Sequence, residues 1–228
     1  MTFVFPPGLT PSLAIAGSEQ RFPVHRIYCI GRNYAEHAKE MGMAVDRASP
    51  VFFCKPADAV VADRSQIPYP PGTHDLHHEV EMVVALQTGG SDIAASAALR
   101  HVYGYGVGLD LTRRDLQAAA KAKGLPWDTA KAFDRSAPVS ALRRAAEIGH
   151  PHHAQLSLEV NGSVRQSSDI DQMIFGVADI IHELSTLFEL HAGDLLFTGT
   201  PAGVAALQRG DRFVARLEGI AELRGAIM

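Results

Sequence analysis

Residues 77–86 read HHEVEMVVAL. The stretch alternates and is β-branched toward its end, which predicts a strand. On a strand, residues two apart point to one face, so Glu79 and Glu81 lie about 6.5–7 Å apart along it. The remainder, VEMVVAL, is apolar and predicts burial. Two ionised carboxylates side by side in a low-dielectric place repel, so one takes a proton or a cation neutralises both. An exposed strand face with two ordinary glutamates is the other reading of this pair.

Working outward, YGYGVGLDLT (103–112) carries three glycines in an apolar run, a strand that something approaches closely. Asp110 ends it. Asp caps helices well, but Thr112 can fill that role here. Three carboxylates without a nearby Cys suit a hard octahedral ion, Mg2+ or Mn2+, whereas zinc more often shows His or Cys at fixed spacings. Upstream, HRIYCIG (25–31) predicts a strand ending at Gly31, and YAEHAKEM (34–41) a short helix closed by Gly42. His37 and Glu40 are three apart on that helix and share a face. They make either a water-activating dyad or a solvated helix face. VFFCKP and AVVAD (59–63) predict short strands. Lys131 follows the turn Gly124-Leu125-Pro126-Trp127, to meet a substrate carboxylate or to sit at the surface.

DIAASAALRHV and RRDLQAAAKAKG predict helices, the second with Gly124 just past its end. Met173, Ile174, Val177, Ile180, Ile181, Leu184, Leu187 and Phe188 follow a 3.6-residue period and predict a helix over 169–190. DLLFTGTP (194–201) predicts a strand and a turn, and RFVARLEG and AELRGAIM close the chain as strands. GHPHH (149–153) reads as a solvated loop. GTPAGV (199–204) is no phosphate loop, because no Gly-Lys-Ser/Thr follows, yet its turn would present N–H groups to an oxyanion. His77 and His78 flank the acidic strand as hydrogen-bonding supports or as packing residues. Short strands and few helices predict an α+β fold, mainly β, and not a doubly wound sheet.

The chain has 228 residues, 46% apolar and 20% charged, with a formal charge of −4. That is globular composition, long enough for one domain without disulfide or metal staples. Nucleic acid is not the expected partner, since no dense Lys/Arg block exists to neutralise phosphates. No apolar run approaches 18 residues, so no membrane span is expected. The first residues, MTFVFPPGLTPS, lack a basic region before an apolar core, so no secretory signal is expected either. Cys29 and Cys54 are expected to be reduced, buried and cytoplasmic. Asn161-Gly162-Ser163 is then a turn. Residues 1–21 are expected to form an arm lying on a main domain of 22–228.

HHEVEM, GYGVGLDLTRRDLQ, GLPWDTAKAFDRSAPVS, SLEVNG, SDIDQMIF and FTGTPAGV resemble, in order and spacing, the fumarylacetoacetate hydrolase family. CIGRNYAEHAKEMG and FFCKPADAV are similar to its short acylpyruvase and fumarylpyruvate hydrolase branch. The resemblance runs from about residue 22 to the end. It implies a mixed β-sandwich roll and a homodimer. It implies metal ligands at Glu79, Glu81 and Asp110, a catalytic pair at His37 and Glu40, the family lysine at Lys131, and substrate contacts at Arg32, Gln117, Lys131 and Thr200, with Lys55 nearby. Arg113 stands where many relatives carry a small residue, and would add a cation if it reached the pocket.

The implied reaction is metal-dependent hydrolysis of a C–C bond in a small-molecule 2,4-diketo acid, fumarylpyruvate above all, as in gentisate-type aromatic degradation. Mg2+ is the expected ion, and Mn2+ shares its ligand preferences. Oxaloacetate decarboxylation or general acylpyruvase activity would use the same pyruvate enolate. A catalytically silent binding protein is the reading from another class, and three acids held together in a core argue against it.

Overall fold

The computed structural model describes residues 2–40 and 50–228. A six-stranded mixed sheet runs in the order Arg143–Arg144, Val102–Leu109, Val80–Leu86, Leu195–Phe197, Ile27–Gly31, Val51–Lys55. A five-stranded sheet runs Ser163–Asp169, Gln155–Val160, Arg212–Leu217, Ala221–Ile227, Ser65–Ile67. Neighbours in both are antiparallel except Leu195–Phe197 against Ile27–Gly31 and Ala221–Ile227 against Ser65–Ile67. Helices are short and few, so the fold is α+β and mainly β, as the strand-rich pattern predicts. No helix among the described residues is long and apolar enough to cross a membrane.

The central strand explains why the acids are buried. Every residue of Val80–Leu86 is buried. Val80, Met82, Val84 and Leu86 face a core shared with Leu158, Phe213 and Leu223 of the second sheet. Val83 and Ala85 face a smaller core with Leu13, Val139, Leu142 and Phe197. Glu81 is one alternation away from Val83, so the pleat drives its carboxylate to the edge of a core and away from solvent.

The neighbouring strand keeps glycines on the side where chain must pass close. A Cβ on Gly104 would sit 2.3 Å from the Arg143 carbonyl oxygen, and one on Gly106 2.9 Å from Ser140 Oγ. On Gly108 it would lie 2.9 Å from both Phe197 and Val83. Gly104→Ala is therefore expected to lose roughly 1–3 kcal/mol, because its obstacle is backbone and overpacking cannot relax. Chemical denaturation measures this, and an unchanged midpoint would contradict it.

Asn161 and Gly162, at φ +52° and +79°, make the two-residue turn of the hairpin Gln155–Val160/Ser163–Asp169. The helix expected over 169–190 is shorter. Asp169 ends a strand, Ile170–Gln172 forms one tight turn, and the helix spans Val177–Leu187. Asp179 accepts the Gly176 N–H at 3.0 Å and sets its start. The Ile174 N–H instead donates to the Asn33 carbonyl at 2.8 Å, so tertiary contact overrides the helical period there. AVVAD keeps only Val60–Val61 as strand, after a turn at Ala57–Ala59. Within 77–86 the strand is interrupted: Leu76–His77 pairs with Thr112–Arg113, and Val80–Leu86 follows.

The helix carrying His37 spans Ala35–Glu40, and its expected closure at Gly42 lies outside the described residues. Cys29 is buried as expected, but Cys54 is exposed. It lies on the sheet's edge strand, where alternation turns Lys55 inward and Cys54 out. At the N-terminus, residues 2–10 are exposed, while Ser12–Ala14 pairs with Arg21–Pro23 and Leu13 and Ile15 enter the smaller core.

Candidate active site

Strand register assembles the acidic cluster. Val80 pairs with Leu109, so Glu79 and Asp110 stand opposite each other, and the Asp110 N–H donates to the Glu79 carbonyl at 2.9 Å. Glu79, Glu81 and Asp110 are all buried, and one oxygen from each lies within 4.8 Å of the others. Lys131 Nζ donates to Glu79 Oε2 at 2.7 Å and to Asp110 Oδ2 at 2.6 Å. Arg114 donates to Glu79 Oε1. Lys55 Nζ is 2.9 Å from Asp110 Oδ1 but is aligned on the Leu111 and Lys131 carbonyls instead. Asp110 Oδ1 therefore accepts no hydrogen bond.

These neighbours separate the two glutamates. Burial acts to raise the Glu79 carboxyl, but the Lys131 and Arg114 charges overcome it and hold it far below the usual range. Burial, then the charges of Asp110 and Glu79, push Glu81 well above that range. Its one close donor is the Gly199 N–H, at 2.7 Å, and among the described residues no cation pairs with it. Burial opposes the Lys131 charge, and the Asp110 and Glu79 carboxylates outweigh it.

Glu79, Glu81 and Asp110 fit a hard divalent ion. The donors are all carboxylate oxygens, Asp110 Oδ1 meets only the Lys55 ammonium, and a further cation would favour the ionised form of Glu81 beside the other two.

His37 faces the same cleft from the short helix, with Glu40 behind it at the exposed end. His37 is buried and lines the cleft with all three acids. Its Nδ1 is 3.3 Å from Glu40 Oε2, which leaves Nε2 as the free ring nitrogen. The Gly203 N–H holds Glu40 at 3.1 and 3.2 Å. GTPAGV thus does hold carboxyl groups, and they are the protein's own: Gly199 serves Glu81 and Gly203 serves Glu40.

The other sequence candidates fall around this centre. Gln117 is buried and accepts from Arg114 Nη1 at 2.6 Å. Thr200 lines the cleft, but its hydroxyl donates to the Val80 carbonyl and accepts from Gln166 Nε2, both at 2.8 Å. Arg32 leaves the Ile27–Gly31 strand at φ +64° and lines the cleft. His78 supports the site one layer out, with Nδ1 2.8 Å from the Gln166 that holds Thr200. His77 sits 2.8 Å from Asp75 and accepts from Arg114 Nε at 3.4 Å.

Arg113 does not reach the cleft. Its guanidinium lies 4.4 Å from the Phe133 ring centroid and donates to the Thr129 carbonyl at 3.1 Å. It is not the extra substrate cation.

Arg114, Lys121 and the aromatic pair Phe53 and Trp127 also line the cleft, and the residue patterns gave them no role. A signal existed for two of them. Arg114, Gln117 and Lys121 stand at i, i+3 and i+7 on the helix Arg114–Ala122 and share one face.

The chain matches the fumarylacetoacetate (FAA) hydrolase C-terminal family over residues 26–228. A crystal structure of fumarylpyruvate hydrolase from Pseudomonas aeruginosa, in complex with Mn2+ and pyruvate, superposes with a TM-score of 0.97 at 51% identity, covering 100% of this chain and 99% of that one. A Burkholderia cenocepacia structure, provisionally named a fumarylpyruvate hydrolase, gives 0.93 at 50% identity, covering 100% and 95%. The mitochondrial oxaloacetate tautomerase of Rattus norvegicus is 43% identical over 198 residues, 87% of this chain and 89% of its own. With this match across the whole two-sheet fold and its acidic cleft, the chain belongs to the fumarylacetoacetate hydrolase family, as an enzyme of it.

Proposed function

We propose that this hydrolase cleaves the C–C bond of a 2,4-diketo acid, with fumarylpyruvate as substrate and fumarate and pyruvate as products. The observation that carries the reading is His37, held by Glu40 behind it, facing three buried carboxylates across one cleft. Similarity to the fumarylpyruvate hydrolase structure supports it. A divalent ion held by Glu79, Glu81 and Asp110 would supply Lewis-acid stabilisation of the charge left on the departing pyruvate. Mg2+ and Mn2+ both suit the donor set.

The chain's own residues supply the rest. His37 Nε2 takes a proton from water as its oxygen adds to the acyl carbonyl carbon. Glu40 orients the ring and balances the imidazolium. The bond between that carbon and the methylene then breaks, its electron pair stays on the methylene, and a proton there completes pyruvate. Lys131 places a buried positive charge beside the reacting centre. Thr200 lines the cleft beside this centre, its hydroxyl already bonded to Val80 and Gln166.

Oxaloacetate tautomerase relatives carry a second reading, in which the same acids steady an enolate while a proton moves and no C–C bond breaks. Product analysis separates the two. Enzyme reloaded with Mg2+ or Mn2+ is expected to release fumarate and pyruvate in equal amounts, and chelated enzyme to release neither. Intact fumarylpyruvate after reloading would refute hydrolysis.

A further inference from the structure

The cations at the cleft fall into two groups. Lys131, Lys55 and Arg114 lie against the carboxylates of Glu79 and Asp110. Arg32 and Lys121 line the same cleft, yet among the described residues neither pairs with a carboxylate. Arg32 Nε is buried with no hydrogen-bond partner. Lys121 is half-buried, its Nζ 5.0 Å from the Trp127 ring centroid. Burial first, then the like charges of Arg114 and Arg32, pull its ammonium down to about 8.

A protein gains no stability from gathering like charges at a half-buried place where no carboxylate comes within pairing distance of them. Arg32 also holds a left-handed backbone at φ +64°, a conformation a non-glycine residue adopts only at a cost. Such strain at a cleft residue points to a functional placement. Phe53 and Trp127, with ring centroids 5.9 Å apart, wall the same cleft with flat apolar surface. A flat carbon chain suits those rings, and an anion suits the two spare cations.

We propose that Lys121 and Arg32 form a subsite for a second carboxylate, at the far end of the acyl group, and select diketo acids whose acyl chain ends in one. This deepens the hydrolase reading and rests on it for the reaction. An acyl group without that carboxylate leaves both cations unpaired in the cleft, the situation in which polar sites discriminate most strongly.

Fumarate and crotonate test the subsite, because both are planar four-carbon acids and only fumarate has the second carboxylate. Calorimetric titration of the metal-loaded enzyme is expected to show fumarate binding roughly 10- to 100-fold more tightly than crotonate, the range for a charge-assisted hydrogen bond. Lys121→Gln is expected to shrink that gap to a few-fold, and Lys121→Arg to retain most of it. The kcat/KM ratio of fumarylpyruvate over acetylpyruvate should fall in the Gln variant, mainly through KM, and recover in the Arg variant. Equal binding of the two acids by wild type, or an undiminished gap in Lys121→Gln, would overturn the proposal. If wild type shows the gap but leaves fumarylpyruvate intact, the hydrolase reading fails and the subsite stands.

Discussion

His37→Ala is expected to lower fumarylpyruvate cleavage by about 10²–10⁴-fold, the usual contribution of a positioned general base. Divalent-ion affinity should stay within a few-fold, because His37 bonds to Glu40 and belongs to a different element from the three acids. Steady-state turnover and Mn2+ titration on the same preparation check both halves. Loss of ion binding together with activity would instead place His37 in the metal site. Undiminished cleavage would remove it from the chemistry.

Lys131→Met should show the largest effect on stability. Lys131 Nζ is shared by Glu79 and Asp110, and all three groups are buried. Removing one member of a buried ionic cluster leaves uncompensated charge and typically costs about 3–5 kcal/mol. The loss should be greatest in chelator and smaller with saturating Mn2+, because an ion bound only by the folded state offsets part of it. Denaturation curves with and without the ion measure this. Equal stability of variant and wild type in chelator would show that Lys131 is not needed to hold the two carboxylates.

The acidic triad was the most legible part of the site. Period-two geometry places Glu79 and Glu81 together, and a Gly-rich strand ending in Asp110 is the natural partner. The His37–Glu40 pair was equally local, since three residues on one helix suffice. Contacts that depend on distant segments were not readable. Nothing around Gly199 or Gly203 says that their N–H groups hold Glu81 and Glu40, which are 118 and 163 residues away in sequence. Arg113 and Arg114 are adjacent and chemically alike, yet one turns to Phe133 and the other to Glu79. Only the pairing of Thr112–Arg113 with Leu76–His77 settles which enters the cleft. The shortened helix has the same cause: Met173 and Ile174 fit a helical period but are taken by Tyr34 and Asn33.

One comparison tests the account most directly: kcat/KM for fumarylpyruvate cleavage against enol-to-keto conversion of oxaloacetate, on the same Mg2+-loaded enzyme. A His37-activated water beside a diacid pocket predicts that fumarylpyruvate is the better substrate and that fumarate appears with pyruvate. Rapid oxaloacetate conversion with fumarylpyruvate left whole would show that the buried acids serve proton transfer alone, and would contradict hydrolysis.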